Sequence, residues 1–187
     1  METTLDINKL LEERPNKDIY YLTLAYVVAQ ASFDPSSKCG AVIVSKDGRI
    51  LSTGYNGPIK GSVDKEIPLS RPAKYAHFIH GEENALLAYN GSYQDIQGAI
   101  IYVTGRPCSR CLRMIIQKGI TKIIYGKNDT KVVDQDDFDA QTLMLKHHLQ
   151  MQVFEINDVD KIQQLLNKTN NYIENKKSVQ PNYKENK

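Results

Sequence analysis

The sequence predicts an α/β domain with a mixed five-stranded sheet flanked by helices, and three observations carry that reading. Two apolar runs, "CGAVIVS" and "ILSTGY", are joined through Asp47-Gly48, a strong hairpin signal that places an antiparallel pair early in the chain. Beyond residue 80, helical and buried-strand patterns alternate with short links, which implies parallel strands with crossover helices. Ahead of both, Asp18–Phe33 has apolar residues at helical spacing and stops before Pro35, as a helix covering a sheet face would.

The elements follow in order. After the hairpin, Gly57–Ala76 is a polar connection with three prolines and no clear period; so long a segment inside a compact domain is usually functional or mobile. "GEENALLAYNG" reads as a helix closed by Asn90-Gly91, and "AIIYVT" as a buried strand. "PCSRCLRMIIQKG" reads as a helix closed by Gly119, and "TKIIYG" as a second buried strand. A polar loop, "KNDTKVVDQDD", leads to a helix over Phe138–Leu149, a strand "MQVFEI" and a last helix near Val159–Leu166. Residues 1–168 form one domain on this reading, and the Asn- and Lys-rich residues 169–187 form a loose tail.

Composition narrows the function classes. At 187 residues the chain can bury a full core without staples, and a formal net charge of +2 implies no strong attraction to nucleic acid or membrane. Three cysteines cannot all pair, so a disulfide framework is not expected and a reducing interior is the natural home. The polar N-terminal stretch "METTLDINKLLEERPNKD" lacks the apolar run of a signal peptide, and no segment has the length to cross a bilayer. The expected location is cytoplasmic.

Two of the three cysteines stand in "RPCSRC". Pro107 favours the first position of a helix, so Cys108 and Cys111 fall in its first turn on one face. Free N–H groups and the helix dipole there stabilise thiolates. Alone, C-x-x-C also fits a redox pair or two buried thiols. "HGEENA" changes the balance, because it sets His80 and Glu82 at the start of the preceding helix. Two consecutive helices on one side of a parallel sheet can bring their N-termini to the same edge. One imidazole and two thiolates give three zinc ligands and leave a position for water, whereas structural zinc normally takes four. Glu82, two residues from His80, can lean over that position and move protons. The alternative is a closed zinc knot or a chance arrangement.

The ordered pattern H-x-E … P-C-x-x-C is the signature of zinc-dependent base deaminases. More closely, "SFDPSSKCGAVIV", "ILSTGYNGPIKGSVD", "HGEENALL" and "PCSRCLRMIIQKGI" resemble deoxycytidylate (dCMP) deaminases in order and spacing from about Ala25 to Tyr125, more weakly to Ile156. The resemblance implies a cytidine-deaminase-like three-layer α/β/α fold and hydrolysis of dCMP to dUMP, the precursor of thymidylate. It also implies a homohexamer activated by dCTP with Mg2+ and inhibited by dTTP. Matched one by one, His80, Cys108 and Cys111 correspond to the Zn2+ ligands and Glu82 to the proton shuttle. Asn56 corresponds to a deoxyribose contact and Ser32 to a residue beside the nucleotide phosphate; turn chemistry and helix capping are the plainer roles for these two. Gly57, Gly61 and Asp64 correspond to effector-site positions in a segment that otherwise reads as a solvated loop, where Lys60 and Arg71 could meet phosphates.

The chain also departs from its relatives. Phe33 stands where many of them carry a basic residue, and an aromatic there could stack on a base or a neighbouring subunit. Cys39 and His77 could be remnants of a second zinc site, although Cys39 also suits a small core position. His147 and His148 fall on a late helix, where surface or core roles suffice. Two rival functions remain open: a deaminase of another substrate (nucleoside, riboflavin precursor, tRNA or single-stranded DNA), and a non-catalytic zinc- or nucleotide-binding module. Polynucleotide editing would call for a basic groove with stacking aromatics, which the near-neutral charge does not provide.

Overall fold

The computed structural model describes residues 14–127 and 134–178. The start of the N-terminal stretch, the middle of the polar loop and the end of the tail lie outside the described residues. Helix α1 (Lys17–Ala29) is capped by Asn16, whose side chain accepts from the Asp18 N–H. Strands β1 (Gly40–Val44) and β2 (Ile50–Tyr55) form the expected hairpin, with Gly48 at φ 87° in its turn. The connection that follows is not featureless. It opens as β3 (Gly57–Pro58), makes two short 3₁₀ turns at Asp64–Glu66 and Ala73–Ala76, and returns as β4 (Phe78–Ile79), antiparallel to β3.

Next come α2 (Gly81–Ala88), a short α3 (Tyr93–Ile96), β5 (Ile100–Val103), α4 (Ser109–Gln117) and β6 (Lys122–Gly126). The chain continues through α5 (Gln135–His147), β7 (Gln152–Ile156) and α6 (Val159–Ser178). The sheet order is β2-β1-β5-β6-β7, with β1 antiparallel to both neighbours and β5, β6 and β7 parallel. This is the mixed five-stranded sheet expected from the sequence.

Alternation along the strands divides the core into two layers. Ala41, Ile43, Ile101, Val103 and Ile123 face α2 and α4 through Ala85, Leu86, Leu112 and Ile115, with Met144 and Leu145 of α5 packed against this layer. Val42, Val44, Tyr102 and Ile124 face α1 and α6 through Ile19, Leu22, Ala25 and Ile162. Among the described residues, no helix is long and apolar enough to cross a membrane.

Several boundaries differ from expectation: α1 stops at Ala29 rather than Phe33, and α5 runs over Gln135–His147 rather than Phe138–Leu149. Helix α2 ends at Ala88 because Tyr89 turns extended, and Asn90-Gly91 lead instead into α3, which Ser92 caps by accepting from the Asp95 N–H. Cys108 is the N-cap of α4, so Pro107 precedes the cap rather than opening the helix, and Cys108 stands just outside the first turn. Residues 169–178, expected to be loose, are the second half of α6. Ile162 and Leu166 anchor its first half on the α1 layer, and propagating an established helix through polar residues needs little further packing.

Helix α2 lies hard against β2. A Cβ on Gly54 would collide with the backbone of Gly81 and Ala85. The two elements are also tied by Ser52 Oγ donating to the Ala85 carbonyl at 2.8 Å and Asn84 Nδ2 donating to the Tyr55 carbonyl at 2.7 Å. Gly54→Ala is therefore expected to cost about 1–3 kcal/mol of stability, read as a lowered Tm. An unchanged Tm would mean that α2 can retreat from the sheet freely.

Candidate active site

The C-terminal ends of β2 and β5 and the start of β1 share one sheet edge, as the pairs Gly40↔Tyr55 and Ala41↔Val103 show. Both helices that follow this edge begin there. His80 is the N-cap residue of α2 and Cys108 the N-cap residue of α4, both with extended backbones, and Cys111 lies in the first turn of α4. An exposed ion pair, Arg110 to Glu83 at 2.8 Å, links the two first turns. From a third helix, Asp137 of α5 accepts the Ser109 N–H at 2.9 Å and so occupies one open donor of α4.

The three expected metal ligands meet. His80 Nδ1 lies 3.6 Å from Cys108 Sγ and 3.4 Å from Cys111 Sγ, and all three ligand atoms are within 4.8 Å of one another. A tetrahedral ion bound at about 2.3 Å by sulfur and about 2.0 Å by imidazole sets those atoms roughly 3.6 Å apart, so the donor set fits zinc. Among the described residues no fourth His, Cys, Asp or Glu joins the group, and Cys39 and His77 do not form a second one.

The electrostatics of the three side chains point the same way. Cys108 is held far below the usual thiol range, first by a hydrogen bond from Cys111 and then by His80, against the opposing effect of burial. Cys111 is pushed up, first by that same bond and then by burial and the Glu82 charge. His80 is raised, chiefly by its bond to Cys108, with the Glu82 charge adding to it. Two thiolates this close repel each other, and a divalent ion held between them and His80 would relieve that repulsion.

Glu82 occupies the second position of α2 and is 5% exposed. Its charge reaches both His80 and Cys111, so the carboxylate belongs to the same site. Asn56, buried just past the end of β2, exchanges two hydrogen bonds with Cys39. Its N–H donates to the Cys39 carbonyl at 3.0 Å, and its Oδ1 accepts the Cys39 N–H at 2.7 Å. Ser32 is also buried, and its Oγ accepts the Asp34 N–H at 3.2 Å in the turn that ends α1.

Other expected residues lie apart. Gly57 is buried in β3, whereas Gly61 and Asp64 are exposed on the outer part of the connection, as are Lys60 and Arg71. Phe33 packs edge-on against Phe78, with ring centroids 6.0 Å apart. Cys39 is half-buried just ahead of β1, and His77 and His147 are exposed. His148 caps α5 through a hydrogen bond between its Nδ1 and the Met144 carbonyl at 2.8 Å.

Sequence reasoning missed the pair beside Asn56. Lys74 Nζ donates to both oxygens of Asp34, at 2.9 and 2.7 Å, and both side chains are almost wholly buried. Asn56 Nδ2 donates to Asp34 Oδ2 at 3.1 Å and to the Ser37 carbonyl at 2.9 Å. Burial pushes Asp34 up, but hydrogen bonds from Lys74 and the Ser36 N–H, with the Lys74 charge, bring it below the usual carboxylate range. The Asp-Pro pair in "SFDP" hinted at a structured turn. Nothing local marked Lys74 as buried.

Comparison with known proteins agrees with this geometry. The family model of the cytidine and deoxycytidylate deaminase zinc-binding region matches residues 15–127. Deoxycytidylate deaminase of Homo sapiens is 36% identical over 131 residues, covering 67% of this chain and 71% of that protein. The Mus musculus enzyme is 36% identical over 133 residues, covering 68% and 72%. Among solved structures, the dCMP deaminase of cyanophage S-TIM5 in complex with dCMP and dUMP superposes with a TM-score of 0.58 at 28% identity, covering 76% of this chain and 98% of that one. With a buried glutamate beside a zinc-compatible His-Cys-Cys set, and a matched span that contains every one of those residues, the chain belongs to the cytidine and deoxycytidylate deaminase family of hydrolytic enzymes.

Proposed function

We propose that this chain hydrolyses dCMP to dUMP and ammonia. The observation that carries the reading is Glu82 buried beside His80, Cys108 and Cys111, three ligands where structural zinc normally takes four. Zinc held by those three residues would supply the Lewis acidity that makes a water nucleophilic near neutral pH. Glu82 takes a proton from the attacking water and gives one to ring N3 of the cytosine as the water oxygen bonds to C4. Glu82 then takes the remaining proton from the new C4 hydroxyl and delivers it to the amino group; the C4–N bond breaks, and ammonia leaves a uracil carbonyl behind. Asn56 retains a carbonyl lone pair for the deoxyribose hydroxyl, and Ser32 stands in the same corner near the expected phosphate. The relatives named above support dCMP over other substrates, since they are deoxycytidylate deaminases and the cyanophage enzyme was solved with dCMP and dUMP.

The same reading extends to regulation. The connection carrying Gly57, Gly61 and Asp64 is the candidate site for dCTP with Mg2+ and for dTTP, in a homohexamer that supplies dUMP for thymidylate in the cytoplasm. The test is ammonia release from dCMP, cytidine, dCTP and a cytosine-containing oligonucleotide, each with and without the triphosphates. Turnover should be highest on dCMP, with a sigmoidal rate curve that dCTP makes hyperbolic and dTTP depresses. Faster turnover on the oligonucleotide would overturn the substrate. Curves indifferent to both triphosphates would remove the regulation and leave the chemistry.

A further inference from the structure

A lysine is almost never fully buried unless something holds its charge. Lys74 is 3% exposed and Asp34 4%, and they meet across 40 residues of sequence. A hydrophobic side chain of similar size could fill the same space at lower desolvation cost, so packing alone does not account for the pair. What the pair touches does. Asp34 Oδ2 and the Ser37 carbonyl take the two N–H donors of Asn56, and the Cys39 N–H takes one lone pair of its Oδ1. This arrangement fixes which way the amide faces and leaves one acceptor position on Oδ1. Asp34 accepts from the Asn56 NH₂ and from Lys74 together, and the Lys74 ammonium balances the buried carboxylate charge that would otherwise draw Asp34 out of this arrangement.

Lys74 also belongs to the connection that leads into α2. It lies in the 3₁₀ turn Ala73–Ala76, directly ahead of β4 and His80. Its ammonium sits 5.7 Å from the ring centroid of Phe78, on the strand that closes the connection against β3. One side chain thus joins the 57–76 connection to the turn 34–39 and to Asn56.

We propose that Lys74 is a positioning residue: through Asp34 it sets the Asn56 amide that receives substrate, and it couples the 57–76 connection to the pocket. The proposal rests on reading Asn56 as a substrate contact. In zinc-loaded enzyme, Lys74→Met should raise KM for dCMP by about tenfold, the effect of one weakened hydrogen bond, with kcat changed far less and zinc content unaltered. Lys74→Met combined with Asp34→Asn should recover most of the lost affinity, because an amide at 34 accepts from Asn56 without a countercharge. A KM unmoved in folded, zinc-loaded Lys74→Met overturns the proposal. Should that variant fail to fold, Lys74→Gln, which still donates to Asp34, is expected to raise KM by about threefold; an unchanged KM there is equally fatal.

Amide hydrogen exchange separates the two possible failures. Faster exchange at Cys39 in Lys74→Met, with the parent inactive on dCMP, upholds the positioning role and discards the substrate reading. An active parent with KM and exchange both unmoved discards the positioning role.

Discussion

Glu82→Gln should leave the zinc content unchanged while kcat on dCMP falls by about 10²–10⁴-fold, the usual span for losing a positioned acid–base group. Glutamine keeps the size and one oxygen of the side chain but cannot carry a proton between water, N3 and the leaving amine. Because Glu82 is buried in the first turn of α2, not among the three residues whose ligand atoms converge, its loss should spare metal binding. Elemental analysis beside steady-state kinetics reads both quantities on one sample. Turnover within a few-fold of the parent would refute the proton-shuttle role. Loss of zinc with turnover would instead make Glu82 part of the metal's own coordination.

Stripping the metal is the second large effect. A ligand present at a thousand times its dissociation constant stabilises the fold by about 4 kcal/mol. For a chain of 187 residues that corresponds to a fall in Tm of roughly 8–16 °C when the ion is removed. Catalysis should vanish, and stoichiometric zinc should restore both activity and Tm. The fold itself should persist, because the two apolar layers on either side of the sheet do not involve the ligands' side chains, Cys111 excepted as a buried small residue. Metal-free protein, verified by elemental analysis, with undiminished turnover would remove zinc from the mechanism.

Most of what positions this chemistry was legible in the sequence, and the reason is local. The hairpin announces itself in Asp47-Gly48, the strands in runs such as "AIIYVT", and the metal set in residues three apart on one helix and at the head of another. Pairings set by distant packing were not legible. Lys74 lies in a polar stretch and reads as solvated; only folding brings Asp34 to it. Asp137 shows no sign in the sequence that it will accept the Ser109 N–H, since that depends on how α5 crosses α4. The length of α6 was hidden for the opposite reason. Its Asn- and Lys-rich half buries little and is carried by the anchored half before it.

His80 and Cys108 sit at the joints between loop and helix, not within the helices. The spacing of the donor atoms is therefore inherited from how α2 and α4 rest on Ile43, Ile101 and Val103 through Ala85, Leu112 and Ile115. In this architecture, grip on the ion is governed by aliphatic fit beneath the helices as much as by the identity of the ligating groups. A methyl group lost from that layer loosens the jaws of the clamp while every donor stays in place.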